Sequence, residues 1–298
     1  VSLAPPPEPP VAPDPSASNR SNRSKLVGSL RAEGRRGVFV AVLSTVVVIG
    51  GLIAIVINSP NWLTFKESFF SVQEFKESFP DIAHHFVHNI EIFLVLEPLI
   101  LAFALLLAIM RSLKGPVFFP LRVLAIIYID FFRGIPTLLL VYLFGFGIPA
   151  LQIPGVPISG IFWGSVALSL SYSAYVAEVY RAGIESVHSS QTAAARSLGL
   201  TRWQTLRFVV VPQAVRRVVP PLMNDFISLQ KDTALLSIVA GQFGEAFQQG
   251  QIWKASHFNF TPILGVALCF LVITVPMTRF TDHMLERQRR RRMAGAVL

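Results

Sequence analysis

Charge is scarce in this sequence and cysteine is nearly absent. Asp, Glu, Lys and Arg make up 14% of the 298 residues. A soluble domain carries about a quarter, so water is not the main solvent of this chain. The single cysteine, Cys269, lies inside an apolar run. It excludes an intrachain disulfide, and its expected role is that of a small buried hydrophobe. No GxxxxGKS/T loop is present, which excludes a phosphate cradle of that kind. The chain also lacks HExxH and a CxxC pair, which removes the usual zinc-protease and dithiol signatures.

What is present is apolar and basic. Hydrophobic residues reach 52%, mean hydropathy is +0.56, and 24 phenylalanines suit lipid-facing helix surfaces. The net charge of +9 is compatible with nucleic acid or with a membrane. The basic residues lie between long apolar runs rather than on one soluble face, so they read as orientation in a bilayer and not as a nucleic-acid patch.

A membrane span needs about 20 mainly apolar residues. Six segments qualify: residues 38–57, 90–110, a stretch within 117–148, 161–179, 218–239 and 260–280. The third is too long for one straight crossing and contains Asp130, Arg133, Gly134 and Pro136. It predicts either a bent helix or an interfacial segment followed by a crossing. Residues 1–37 form a Pro-rich, then basic, tail that cannot bury a core and is expected to be disordered over 1–18. The first apolar run starts only near Val38, so the tail is not expected to act as a signal peptide. Residues 58–89 are expected as a loop, 90–280 as the core with a long connection at 181–217, and 281–298 as a basic tail.

Basic residues alternate between two sides. One side holds the N-terminal block, Arg111, Lys114, Arg122, the 181–217 connection and the 279–292 tail. The other holds only Lys66, Lys76 and Lys254. The positive side is expected to be cytoplasmic, with both termini inside and 58–89 outside. That loop contains FKESF at 65–69 and again at 75–79. An offset of ten residues would place both copies on one face of a surface helix, or the repeat is coincidental. His84 and His88 have i,i+4 spacing beside His85. They read as polar loop residues, with metal binding as the alternative. Ser169, Ser171 and Ser173 read as helix-packing small residues rather than nucleophiles.

The 181–217 connection is the most informative stretch. Residues 190–198 are Ala-rich and helix-forming, and Gly199 is placed to stop that helix. A second helix starts near Arg202, and Pro212 is expected to interrupt it. A short helix, a turn and a longer helix outside the membrane form a knob that can dock in a groove of another protein. This stretch resembles the EAA loop of ABC importer permeases. The matching residues are Ala194, Ala195, Gly199, Val211 and Pro212, followed by Gln213 and Ala214. The resemblance implies that Gln191, Ala193, Ala194, Ala195, Arg196, Leu198, Gly199 and Pro212 contact an ATPase subunit through a coupling helix. The family usually has Glu two residues after Gln191, where this chain has Ala193, so one ionic contact would be missing.

The likeness extends further. FFRGIP at 131–136 is similar to the FFRGTP of the polar amino-acid branch, which carries histidine, glutamine, glutamate and arginine. Residues 174–183 resemble its AYxAExxRxG, and NDFISLQKDTALLSI at 224–238 resembles its NxFISLLKDTSLxSV. The resemblance covers about residues 90–280; the first span, the Pro-rich tail and Glu97-Pro98 depart from the pattern. It implies an all-α, polytopic helical bundle of the type I importer permease kind. It implies a non-catalytic, channel-forming subunit in the cytoplasmic membrane of a prokaryote. Such a subunit works with ATPase subunits that bind ATP and Mg, an extracytoplasmic amino-acid-binding protein, and a second permease copy or paralogue. The chain itself is expected to hold no cofactor and no metal.

Charges at membrane depth are costly and mark a cavity or an internal pair. The candidates are Glu97, Asp130, Arg133, Asp225, Ser228, Lys231, Asp232 and Thr233. They line a translocation path, or they neutralise one another, as Asp130 and Arg133 would at i,i+3. Pro98 either kinks the second span and aims Glu97 inward, or Glu97 sits nearer the interface. An intramembrane enzyme would need a convergent constellation that is not evident. A secondary transporter is the alternative for a small polar solute, but it should show inverted repeats between halves. A receptor or anchor would need only one span. The topology is testable by cysteine labelling of the loops: 58–89 should react from outside intact cells. Outside labelling of 181–217 would overturn the assignment.

Overall fold

The computed structural model describes residues 34–113, 115–241 and 244–295, with side chains from 37 to 287. The expected disorder of 1–18 lies outside these residues. Every regular element among the described residues is helical, and the chain divides into two units, Val1–Phe65 and Lys66–Leu298.

The first unit is dominated by α1, Gly34–Ile57. Its side chains lie at the surface along the whole of 37–57 except for partial cover at Gly37. Ser44 and Thr45 return their hydroxyls to the Ala41 carbonyl, so the polar groups are satisfied within the helix. A helix crossing lipid must do this. A short helix α2, Trp62–Phe69, follows.

The second unit is built on α3, Val72–Ser112, a 41-residue helix. At about 1.5 Å per residue it is roughly twice as long as the hydrocarbon layer is thick. Residues 72–89, expected as loop, are instead the first half of this helix. Asp81, His84, His85 and His88 lowered the apolar signal there, yet Ile82, Phe86 and Asn89 are buried. The two FKESF copies do not share a face: the first ends α2, the second lies in α3, and the chain breaks at Phe70 and Ser71. Ser71 caps α3 by accepting from the Glu74 N–H. Phe69 stacks on Phe260, whereas Phe75 stacks on Phe79.

The expected third segment is a bent pair. Helix α4, Phe119–Gly134, and α5, Thr137–Ala150, meet at 100°. Ile135 precedes Pro136 and is extended, since proline disfavours helical geometry in the residue before it. Next come α6, Gly160–Glu185, α7, Ser189–Ser197, and α8, Arg202–Thr205. A π-helical turn, Leu206–Val210, leads into α9, Val211–Asp232. Pro212 does not interrupt the helix as expected. Lacking an N–H, it is accommodated by the π turn before it: Val211 N–H bonds to Leu206 O, and the Gln213 amide donates to Val209 O. The expected fifth span is not one helix, because α9 gives way at Thr233 to a 3-10 turn, Thr233–Ile238. Helices α10, Ala246–His257, and α11, Thr261–Gly295, complete the chain.

By length and composition, Gly37–Ile57, Trp62–Ser112 and Thr261–Arg287 are able to span, and the α4–α5 pair makes a fourth if counted as one. The other two expected crossings, α6 and α9, are long enough but too polar for that test. Their position explains this. Helix α6 packs against α3, α4, α5 and α9, and so faces protein rather than lipid. The main core joins Ile100 and Ala104 of α3, Ile129 of α4, Val141 of α5, Leu168 and Ala177 of α6, and Leu229 of α9. A second cluster joins Ile82 and Phe86 to Ala246, Val266 and the buried Cys269, in the hydrophobic role expected for it.

Close approach sets these contacts. Gly164 faces Leu236, whose Cδ2 would lie 2.8 Å from a Cβ there, and Gly145 faces Val239. Gly183 is tightest: a Cβ would overlap Val218 Cγ2 on α9. Gly183→Ala should destabilise the protein by about 1–3 kcal/mol, the usual cost of overpacking. Val218→Ala in the same chain should recover most of the loss in thermal unfolding in detergent. Full stability of the single variant would show that α6 and α9 are not in contact there.

Candidate functional site

Two regions hold the residues singled out from the sequence. The first is where α3, α6 and α9 meet. Glu97 is 9% exposed, and its Oε1 has no hydrogen-bond partner among the described residues. Asp225 of α9 is half-buried, its Oδ2 also lacks a partner, and its charge acts on Glu97. Asp232, a little under two turns further along α9, accepts a 2.8 Å hydrogen bond from the Tyr172 hydroxyl of α6. Asp225 and Asp232 both act on Tyr172 electrostatically, and Glu97 acts on Tyr180. Three carboxylates and two phenols thus gather on three helices, an arrangement rich in acceptors. A buried carboxylate without a cation is costly, so such a group suits an ammonium-bearing ligand. Ser228 is half-buried beside them and Thr233 is fully buried.

The remaining candidates lie elsewhere. Asp130 and Arg133 are exposed and form no ion pair with each other among the described residues. The Arg133 guanidinium instead sits 5.6 Å from the centre of the Tyr175 ring. At i,i+3 the two side chains can meet on a helix, but here the aromatic face on α6 takes the cation. Lys231 is exposed and makes no ion pair with Asp232 among the described residues, because α9 turns the two side chains to different sides.

The second region is the 181–217 connection. His188 caps α7 by accepting from the Ser190 N–H, and Gly199 ends it with φ +87, a conformation that glycine adopts without strain. Thr201 and Gln204 form a capping box on α8. Gln191, Ala193, Ala194, Arg196, Leu198, Gly199 and Pro212 are exposed, whereas Ala195 is 5% exposed and packs within the connection. Leu198 is 84%, Trp203 67% and Phe208 62% exposed. An apolar ridge therefore stands out between Arg196, Arg202 and Arg207. Just before the connection, Glu178 of α6 pairs with Arg111 of α3 at 2.7 Å and with Arg181, which also pairs with Glu185. Arg217 donates to the Ser186 carbonyl at the end of α6.

Sequence reasoning missed Tyr172, Asn89, Glu245 and the Arg111–Glu178 pair. Glu178 and Arg181 lay inside a quoted motif, but no local signal pointed to Arg111, 67 residues away. The histidines hold backbone and side-chain partners: His85 pairs with Asp81 at 3.3 Å, and His88 donates to Gly244 O at 3.0 Å. Among the described residues no group of three His, Cys, Asp or Glu is placed to hold a metal. Burial raises the Glu245 carboxyl above its ordinary range. The Phe247 N–H, the Asn89 amide and the Gln248 N–H oppose that rise.

Residues 101–290 match the family described as binding-protein-dependent transport system inner membrane component. The chain is 38% identical over 171 residues to the probable glutamine ABC transporter permease protein GlnM of Bacillus subtilis (strain 168), covering 57% of this chain and 77% of that protein. It is 34% identical to the probable amino-acid permease protein YxeN of the same organism, over 62% of this chain and 82% of that one. Its fold is similar to a crystal structure of an amino acid ABC transporter with histidines, with a TM-score of 0.63 and 28% identity over 74% of this chain and 98% of that one.

The geometry separates two roles for the Lys231–Asp232 pair. Tyr172→Phe removes the donor to Asp232 and should cost about 1.5–3 kcal/mol, as for a hydrogen bond to a charged group. Asp232→Asn keeps an acceptor for Tyr172 and should cost less. Lys231→Met should leave thermal unfolding unchanged. If Lys231→Met instead rescues an unstable Asp232→Asn chain, the two residues are a structural ion pair.

Proposed function

Since the chain belongs to the binding-protein-dependent transport system inner membrane component family, we propose that it is the channel-forming subunit of an ATP-driven importer for a polar amino acid. It is a multi-pass membrane protein. In this reading both termini and the 181–217 connection face the cytoplasm, while the outer half of α3 and helix α10 lie on the far side. The positive-inside distribution of Arg and Lys supports that orientation.

The observation that carries the reading is the exposed ridge at Leu198, Trp203 and Phe208. Large apolar side chains together on a water-facing surface mark a docking site. The partner is an ABC ATPase, which supplies the ATP and magnesium chemistry. Two such subunits closing on ATP would drive the ridges of two permease subunits. The Arg111–Glu178–Arg181 base would carry that displacement into α3 and α6. An extracytoplasmic binding protein would deliver the amino acid, and a second permease, identical or paralogous, would complete the path. Within the path, Glu97, Asp225 and Asp232 would receive the substrate ammonium. Opposing charge for the carboxylate is available at Arg133 and Lys231, whose exposed side chains reach beyond the single chain.

Ala194→Asp tests the coupling. It places a charge on the exposed face of α7 without touching the buried Ala195. Uptake of radiolabelled amino acid and substrate-stimulated ATP hydrolysis should fall at least about tenfold, equivalent to some 1.4 kcal/mol, while the chain still inserts in the membrane. Wild-type uptake by that variant would remove α7 from the interface.

A further inference from the structure

Three elements meet at Asn89, a fully buried residue on α3. Its Nδ2 donates to Thr233 Oγ1 at 3.0 Å and to Glu245 Oε2 at 3.0 Å, and its Oδ1 accepts the Ala246 N–H at 3.1 Å. Thr233 in turn donates a hydrogen bond from its hydroxyl to the Gln230 carbonyl at 2.7 Å. Glu245 caps α10, accepting from the Phe247 and Gln248 N–H groups. Thr233 and Glu245 are as buried as Asn89. Buried polar groups must keep their partners because water cannot replace them. Network geometry is therefore held from α3, from α10 and from the end of α9 at once.

The network has two consequences. Thr233 directly follows Asp232, where α9 gives way to the 3-10 turn. Helix α10 is tied again further along, where Asp81 accepts the Trp253 Nε1–H at 2.8 Å and an amide N–H of Gln249. Gly250 also lets α10 approach Val266 of α11 closely. Gln251, Ile252, Ala255 and Ser256 on the opposite side of α10 are exposed. Pinned in this way, a shift of α10 at its start draws on Asn89 and on the His88–Gly244 bond, and of these Asn89 bonds to the residue after Asp232.

We infer that Asn89 is a positioning residue that carries displacement of α10 on the outer face to the helix break at Asp232 and Thr233. A docked binding protein would thereby be sensed at Asp232. This rests on the importer reading, which supplies the outer face and the binding protein.

The test uses the complete complex with its ATPase in lipid nanodiscs. ATP hydrolysis is measured with and without the binding protein loaded with L-glutamine, L-glutamate, L-histidine or L-arginine. Asn89→Leu keeps the volume and removes both donors. Glu245→Gln puts an amide N–H in place of the Oε2 acceptor and weakens the Asn89–Glu245 bond from the α10 side, leaving the Ala246 N–H on Asn89. Each should leave the unstimulated rate as in wild type and lower the stimulated-to-unstimulated ratio at least about fivefold, the low end of coupling between linked sites. The double variant should be no worse than Asn89→Leu alone, since that variant already removes the Asn89–Glu245 bond. A wild-type ratio in the assembled variants overturns the inference. Failure of both variants to assemble makes the network structural alone and overturns it too. If the wild-type complex is not stimulated by any loaded binding protein, the importer reading itself fails, and the inference with it.

Discussion

Helix α6 can be approached closely by its neighbours because most of its buried positions are small. Gly164, Ala167, Ser171, Ser173, Ala174, Ala177 and Gly183 present little side chain, so α3, α5 and α9 come close enough for backbone and Cβ atoms to touch. In lipid the hydrophobic effect does not drive helices together, and packing of this kind takes its place. The rest of the Lys66–Leu298 unit follows from it. Once α6 is enclosed by protein it no longer needs an apolar surface all round. It can then carry Tyr172, Tyr180, Glu178 and Arg181 at depths where lipid would exclude them.

Those polar groups divide by the end of α6 on which they lie. Glu178 and Arg181 sit at its C-terminal end and are satisfied by opposite charge, with Arg111 drawn in from α3. They close the end of α6 from which the chain continues into the α7–α8 knob. Toward the middle, Tyr172 meets Asp232, and beside them Glu97 and Asp225 have carboxylate oxygens without partners. A cluster satisfied internally holds structure, whereas one left with open acceptors is prepared for a ligand. The same helix therefore links the element that would receive the ATPase stroke to the carboxylates that would meet substrate.

The outer end of the unit obeys the same accounting with hydrogen bonds instead of ion pairs. Asn89, Thr233 and Glu245 close a buried network in which two α10 N–H groups and the Asn89 amide satisfy one carboxylate, and the same amide donates to the Thr233 hydroxyl. Its presence explains why the regular turns of α9 can end inside the bundle without leaving the Thr233 hydroxyl unpaired.

Much of the molecule was legible in the sequence, because its signals are local. Apolar run length marked α1, the inner half of α3, and α11; Pro136 marked the bend between α4 and α5; Gly199 marked the end of α7. The Ala-rich connection and three further motifs pointed to the family, since such patterns survive in linear order. Other features were decided only by the tertiary structure. Polar residues at 81–89 concealed the outer half of α3, since hydropathy cannot tell a loop from a helix whose polar face is covered by α10. Asp130 and Arg133 stood at pairing distance along one helix, yet the Tyr175 ring on another claimed the cation. Arg111, Tyr172 and Thr233, which partner Glu178, Asp232 and Asn89, lie 60 or more residues from them in sequence. The sequence by itself determined most of the helical segments and the solvent that the apolar ones prefer, because those depend on composition over a few turns. Which charges are paired and which are left open depends on long-range packing, and only the folded bundle settled it.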